Sequence, residues 1–216
     1  MKLSEMLAAK KKLASEKIPT EKWDVMSKST QSLVDSNFSR NALKEGDTII
    51  DFRLPNIKGE IIHLSKLLET GDVVLSFYRG GWCPYCNLEL KALQAILPQL
   101  KAHDTHLVAI TPETPDNSLT TSEKNELTFD VLSDLDNEYA KQLGLVFQMT
   151  TELQEVYASF GLDVAKHNNN QDFELPMPAT YLINREGTIV YSFVPEDYTE
   201  RLDPEAILEC LKVKEK

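Results

Sequence analysis

Basic residues are scarce in this chain: 23 lysines and arginines stand against 34 aspartates and glutamates, a formal net charge of −11. A nucleic-acid-binding surface needs a basic stripe to neutralise phosphates, so no nucleic acid is expected as a partner. Long apolar runs are missing too. None approaches the ~20 residues that span a bilayer. The lysine-bearing stretch 1–17 has neither a continuous apolar segment nor a small-residue cleavage site. The chain is therefore expected to be cytoplasmic, with no membrane partner. Cysteine is rare, three in 216 residues, which argues against a disulfide-stapled scaffold. In a reducing compartment, two cysteines three apart point to reactivity or metal instead.

What is present suffices for one full core with an appended segment, since 42% of the residues are hydrophobic. Residues 1–44 read as a polar helical extension. Leu3, Met6 and Leu7 share one face, and beyond Pro19 so do Trp23, Met26, Leu33 and Val34. Thr20 is expected to cap the second helix. Such a pair packs on the main domain or on a second copy of the chain, which leaves room for a homodimer.

The main domain is expected over 45–216. Short strands are expected at 49–52 and 61–64, with a short helix at 65–69. Residues 73–78 form an apolar, β-branched run of the kind buried inside a sheet. A helix follows from Pro84, with Leu90, Leu93, Leu97 and Leu100 at helical spacing and Pro98 expected to interrupt or bend it. Strands near 106–110 and 129–132 alternate with helices near 116–124 and 138–143, and 167–171 reads as a loop. Residues 179–183 and 188–193 flank a hairpin connection at 184–187, and Pro204 opens a last helix. This alternation, closed by a hairpin and a helix, predicts an α/β fold with a central mixed sheet flanked by helices.

Chemistry concentrates at Cys83-Pro84-Tyr85-Cys86. The Gly80-Gly81 break and a proline at the first helical position put Cys83 at the N-cap and Cys86 at the third helical residue. Free backbone N–H groups and the positive end of the helix dipole favour a thiolate there. Only the thiolate is nucleophilic, and a thiol so placed falls from a pKa of about 8.5 to around 7 or lower. The second sulfur is within reach of the first. A sulfenic acid or mixed disulfide on either one therefore collapses to a Cys83–Cys86 bridge.

His103 and His106 follow the pair in the manner of a Cys₂His₂ zinc pattern. Geometry opposes it. A helix over 87–102 separates the two ends by ~24 Å, while four ligands must converge within ~2.3 Å of one ion. No metal is expected.

The segment Phe77-Tyr78-Arg79-Gly80-Gly81-Trp82-Cys83-Pro84-Tyr85-Cys86 resembles the active-site segment of the thioredoxin–peroxiredoxin superfamily (alkyl hydroperoxide reductase/thiol-specific antioxidant). The entry Asp51-Phe52-Arg53-Leu54-Pro55-Asn56 and the strand Pro178-Ala179-Thr180-Tyr181-Leu182-Ile183 resemble it as well. The likeness is strongest to a peroxiredoxin-like branch with a Cys-x-x-Cys pair. It runs from about Gly46 to the end and implies a thioredoxin-like fold.

Two site patterns overlap. Thioredoxins use Trp-Cys-x-x-Cys, matched by Trp82, Cys83 and Cys86, with the first cysteine attacking disulfides. Peroxiredoxins use Pro-x-x-x-Thr-x-x-Cys, which puts Arg79 in the proline position, Cys83 in the threonine position and Cys86 in the peroxide-attacking position. Two residues of that motif are thus replaced. Ahead of Thr180, where the family often has an arginine, stands Pro178, which resembles the cis-proline that faces the cysteine pair in thioredoxins. Arg79, or Arg185 if the fold brings it close, would supply the cation of a peroxide site; Arg79 otherwise reads as a surface arginine. Trp82 is expected to shield the sulfurs.

The resemblance implies a thiol-dependent oxidoreductase that reduces hydroperoxides or protein disulfides through Cys83 and Cys86. An external dithiol reductant, of thioredoxin or glutathione type, would recharge it. No cofactor is expected, since the sulfurs carry the electrons. The order of attack stays open: local physics favours Cys83, and the peroxiredoxin spacing favours Cys86. The alternative is a non-enzymatic redox-sensing or binding module on the same fold. Cys210, among Ile207, Leu208 and Leu211, reads as a packed inert thiol, with a resolving or intersubunit cysteine as the sharper option.

Overall fold

The computed structural model describes residues 2–214. Helices α1 (Leu3–Lys17) and α2 (Thr20–Asp35) lead the chain. A ribbon of β1 (Arg53–Pro55) and β2 (Ile61–His63) and the short α3 (Leu64–Leu68) follow. Then come β3 (Asp72–Phe77), α4 (Pro84–Ala102), β4 (Thr105–Thr111), α5 (Pro115–Lys124) and β5 (Asp130–Ser133). The next stretch holds α6 (Glu138–Gln142), β6 (Val146–Gln148), α7 (Thr151–Ser159), α8 (Val164–Asn168) and β7 (Glu174–Pro176). The hairpin β8 (Ala179–Ile183) and β9 (Ile189–Phe193) and the helix α9 (Pro204–Lys214) close it.

Five strands form the central sheet in the order β5-β4-β3-β8-β9. β3, β4 and β5 are parallel, and β8 and β9 run antiparallel to their neighbours. This is the expected mixed sheet of a thioredoxin-like α/β fold. Period-two alternation along β3 feeds both faces. Val73, Leu75 and Phe77 join Tyr139 and Tyr181 in one core, while Val74 and Tyr78 join Leu90, Leu93 and Leu100 of α4 in the other. Each fully buried side chain of this size contributes roughly 1.5–3 kcal/mol.

The N-terminal helices are spent on their own chain. Leu3 and Leu7 are buried in the α4 core, and Met26 and Leu33 pack against the other. Ser4 donates to Asp203 from its backbone N–H (3.0 Å) and its hydroxyl (2.7 Å), and Lys11 pairs with Asp197 at 2.6 Å.

Several expectations need correction. Pro19, not Thr20, is the N-cap of α2; Thr20 is already helical, since proline's fixed φ suits the entry and its absent N–H costs nothing there. Pro98 does not interrupt α4. It lies on the exposed face, between buried Leu97 and Leu100. Residues 49–52 are not a strand; Ile49 and Phe52 are buried, but the pairing beside them is an isolated bridge, Thr48 with Thr188, and scattered bonds such as the Ile49 N–H donating to the Gly187 carbonyl at 2.9 Å. The expected loop at 167–171 begins inside α8, whose N-cap Asp163 accepts from the backbone N–H of Lys166. Among the described residues no helix is long and apolar enough to cross a membrane.

Candidate active site at the start of helix α4

Beyond Phe77 the chain leaves β3 and reaches α4 through a turn closed by the Cys83 N–H donating to the Gly80 carbonyl at 3.0 Å. Two glycines are required. Gly80 sits at φ +148, and a Cβ there would lie 2.3 Å from Trp82 Nε1; one on Gly81 would lie 1.8 Å from Thr121 Oγ1. Asn87 reaches back to hold the turn, its amide donating to the carbonyls of Gly81 (2.7 Å) and Cys83 (2.9 Å). The buried Glu113 carboxylate accepts from the Gly81 N–H at 2.7 Å and lies 2.8 Å from His167 Nδ1. Cys83 is the N-cap of α4 and Pro84 its first residue, as expected.

The two sulfurs differ sharply. Burial opposes the charged form of Cys83. A hydrogen bond from the Cys86 thiol, the guanidinium groups of Arg79 and Arg201 and the Cys86 backbone N–H more than offset that burial, and lower Cys83 to about 6. Cys86 is pushed well up by burial, by the hydrogen bond it donates and by the Cys83 charge, with Arg201 opposing in part. Cys86 is fully enclosed. Cys83 borders a cavity of about 460 Å³ whose lining includes Arg79, Trp82, Pro84, Tyr85 and Tyr157.

Arg79 is no surface arginine: it is 1% exposed. Its Nη2 donates to the Tyr157 hydroxyl, and its guanidinium lies 4.4 Å from the Tyr198 ring centroid and 5.1 Å from that of Trp82. Burial works against its charge, but Tyr157 and the Cys83 sulfur outweigh burial and keep it protonated. Trp82 covers this guanidinium and stacks edge-on with Tyr157 at 5.8 Å. A second buried arginine, Arg201, donates through Nη2 to the Cys86 sulfur at 3.2 Å and through Nε to Glu89. Its Nη1 is held by the carbonyls of Tyr198 and Glu200, both at 2.6 Å. Burial lifts Glu89 to about 7 against the pull of Arg201.

Other expected participants lie elsewhere. Pro178 follows an ordinary trans bond, as does every peptide bond among the described residues; trans is the lower-energy form even before proline. It lines a small hollow with Arg79 and Tyr157 and not the cavity at Cys83. Thr180 is buried opposite Ser76 in the sheet. Arg185 is remote: β8 runs antiparallel to β3, so the hairpin tip falls at the start of β3, where Arg185 binds Asp72 and the Thr70 carbonyl. His103 and His106 flank the far end of α4, away from the cysteines. Cys210 is half-buried on α9 and does not line the cavity.

Arg201, Tyr157, Tyr198, Glu113 and His167 were not anticipated. Glu89 had a signal: a carboxylate three residues after Cys86, on a face otherwise made of Leu90, Leu93 and Leu97.

Residues 46–192 match the model of the AhpC/TSA family. Peroxiredoxin Bcp of Escherichia coli (strain K12) is 30% identical over 105 residues, covering 49% of this chain and 67% of that protein. Thiol-disulfide oxidoreductase ResA of Halalkalibacterium halodurans is 26% identical over 180 residues, covering 79% and 85%. In fold, the chain is similar to the crystal structure of peroxidoxin BcpB from Mycobacterium tuberculosis, with a TM-score of 0.63, 21% identity, and coverage of 79% of this chain and 97% of that one.

Proposed function

Because this chain belongs to the AhpC/TSA family, we propose that Cys83 and Cys86 carry its chemistry, with Cys83 attacking and Cys86 resolving. The protein is a thiol-dependent oxidoreductase that reduces peroxides or disulfides. One observation carries the order of attack: Cys83 is the sulfur that borders the cavity and the one whose thiolate is favoured, at about 6.

With a hydroperoxide, the Cys83 thiolate forms an S–O bond to the outer oxygen as the O–O bond breaks. The alkoxide takes a proton and leaves as the alcohol, and Cys83 becomes a sulfenic acid. Cys86 then forms the S–S bond and water leaves. An external dithiol of thioredoxin or glutathione type takes the bridge back to two thiols and is itself oxidised. Arg79 keeps a positive charge beside Cys83, Trp82 covers that charge, and Pro84 starts the helix that orients both sulfurs. Pro178 and Thr180 support the sheet beneath. The reading takes 1–44 as a helical layer added to a redox domain at 45–216, in a reducing setting such as the cytoplasm. A homodimer would have to use surfaces other than the faces of α1 and α2 already buried on their own chain.

The test is a sulfenic-acid trap. Reduced Cys86→Ser protein is mixed with hydrogen peroxide and dimedone, and the adduct located by mass spectrometry. Labelling at Cys83, absent in Cys83→Ser, is expected. A second reading, in which Cys86 attacks peroxide, is favoured by the Arg201 Nη2 at 3.2 Å from its sulfur. Labelling of Cys86 in Cys83→Ser, at the wild-type rate of oxidation, would establish it and sink the first.

A further inference from the structure

The oxygen that departs when Cys83 attacks must take a proton. A bare alkoxide leaves poorly, and an acid placed to protonate it accelerates such a step by ~10²–10⁴-fold. Few groups around Cys83 can supply that proton. Burial opposes the charge of Arg79, but Tyr157 and the Cys83 sulfur hold it protonated, so it gives up none. Burial pushes Tyr85 up to about 12 and raises Tyr198 as well. The Tyr157 hydroxyl is engaged by Arg79. Lys10 lines the cavity but has no hydrogen bond or ion pair among the described residues to hold its ammonium in one place.

His167 is different. It lies in α8, lines the cavity together with Cys83, and keeps 31% of its side chain exposed. The ring is fixed from behind: Nδ1 lies 2.8 Å from Oε1 of Glu113, whose side chain is 1% exposed. A carboxylate only accepts, so Nδ1 carries the hydrogen of that bond and Nε2 is the nitrogen left to exchange a proton. The backbone is fixed too. The His167 carbonyl accepts from the Thr114 N–H at 3.2 Å and from the Asn117 amide at 2.9 Å. The other Glu113 oxygen, Oε2, accepts from the Gly81 N–H at 2.7 Å, two residues before Cys83. One buried carboxylate therefore ties the imidazole to the turn that carries the reacting sulfur.

We propose that His167 is the acid of the Cys83 reaction, giving its Nε2 proton to the departing oxygen, and that Glu113 is the residue that positions it. The inference rests on Cys83 being the attacking thiolate. As the S–O bond forms and the O–O bond breaks, two electrons pass from the sulfur to the peroxide. The inner oxygen takes the proton from Nε2, and the alcohol leaves a neutral ring behind. Cys86 then displaces water from the sulfenic acid, and its own thiol proton departs in that water. The external dithiol reduces the bridge and brings two protons, one for the Cys86 thiol and one for His167, while Cys83 returns as thiolate. A disulfide substrate uses the same acid, which protonates the thiolate that leaves.

The test varies the leaving group. Reduced protein is mixed in stopped flow with ethyl hydroperoxide, whose ethoxide must be protonated, and with 3-chloroperoxybenzoic acid, whose carboxylate leaves as a stable anion. Iodoacetamide expels iodide, which takes no proton, and so reports on the Cys83 thiolate and its turn. Wild type is compared with His167→Ala, which keeps both bonds to the backbone carbonyl. Glu113→Gln is the second variant. Its amide oxygen still accepts from Gly81, but its N–H₂ faces the ring and demands the other tautomer, a change that disables a carboxylate-held histidine.

His167→Ala should slow ethyl hydroperoxide about 100-fold, with the peroxy acid and iodoacetamide held within about threefold. Glu113→Gln should show the same split, by about tenfold or more. A dyad that only staples the turn would slow all three reagents alike. Dimedone trapping in the Cys86→Ser background, with ethyl hydroperoxide as oxidant, locates the oxidised sulfur. Label on Cys83 with no split between leaving groups in His167→Ala overturns the inference and leaves the assignment of Cys83 standing. Label on Cys86 in the otherwise unchanged chain, where that residue attacks first, overturns both. Where His167→Ala does not fold, the split in Glu113→Gln decides alone.

Discussion

Arg201 donates through Nη2 to the Cys86 sulfur at 3.2 Å, across 115 residues of sequence. The same guanidinium neutralises Glu89, so one buried cation serves a carboxylate and a thiol together. Its side chain is 1% exposed and that of Glu89 2%, which makes the cluster costly to break and sensitive to either partner.

Replacing Arg201 by methionine strands Glu89 without its cation. Urea unfolding at pH 8 should show a loss of about 3–5 kcal/mol. Adding Glu89→Gln should return part of it, as expected of coupled neighbours. A loss in the double variant equal to the sum of the two single-variant losses would show that the residues act independently.

Arg79→Met removes a cation that favours the Cys83 thiolate. In a Cys86→Ser background, the pH midpoint of iodoacetamide alkylation should rise by about 1–3 units. Stability follows with a definite sign. Folded Cys83 releases its proton near 6, and an unfolded thiol near 8.5 (about the free value). Between these the unfolded chain binds more protons, so the stability of reduced protein rises with pH across the window and is lost as pH falls through about 6. Glu89, lifted to about 7, acts in the opposite sense below that pH, so the slope is best read above it. Calorimetry from pH 7 upward should find a shallower slope in Arg79→Met; an unchanged slope would remove Arg79 from the account.

Gly81→Ala drives a Cβ to 1.8 Å from Thr121 Oγ1. The cost should be about 1–3 kcal/mol in thermal unfolding, with part recovered in the Gly81→Ala, Thr121→Ala pair. A single variant as stable as wild type would mean that the turn carrying Cys83 has room to spare.

Much of the fold was legible because its signals are local. The apolar run at 73–78, the proline opening α4 and the leucines at helical spacing each involve near neighbours, and each is found where expected. Errors arose where a local rule met a tertiary allowance. Pro98 stays helical, on the exposed face of α4. Pro178 remains trans because its resemblance to a thioredoxin residue brought no constraint of its own. Residues 49–52 have a strand's composition but no neighbouring strand to pair along their length.

By itself the sequence determined where the two cysteines sit: a helix start, its spacing of two cysteines and the glycines before it are set by residues in direct succession, whose dihedral preferences act without help from the rest of the chain. Which sulfur is favoured as thiolate, and what it faces, were decided by tertiary structure. Arg79 turns inward under Trp82 and Tyr198, Arg201 arrives from beyond β9, and α1 and α2 close a cavity beside Cys83. Periodicity tells which face of an element is buried, but charge and shape at a site depend on what the topology brings against that face.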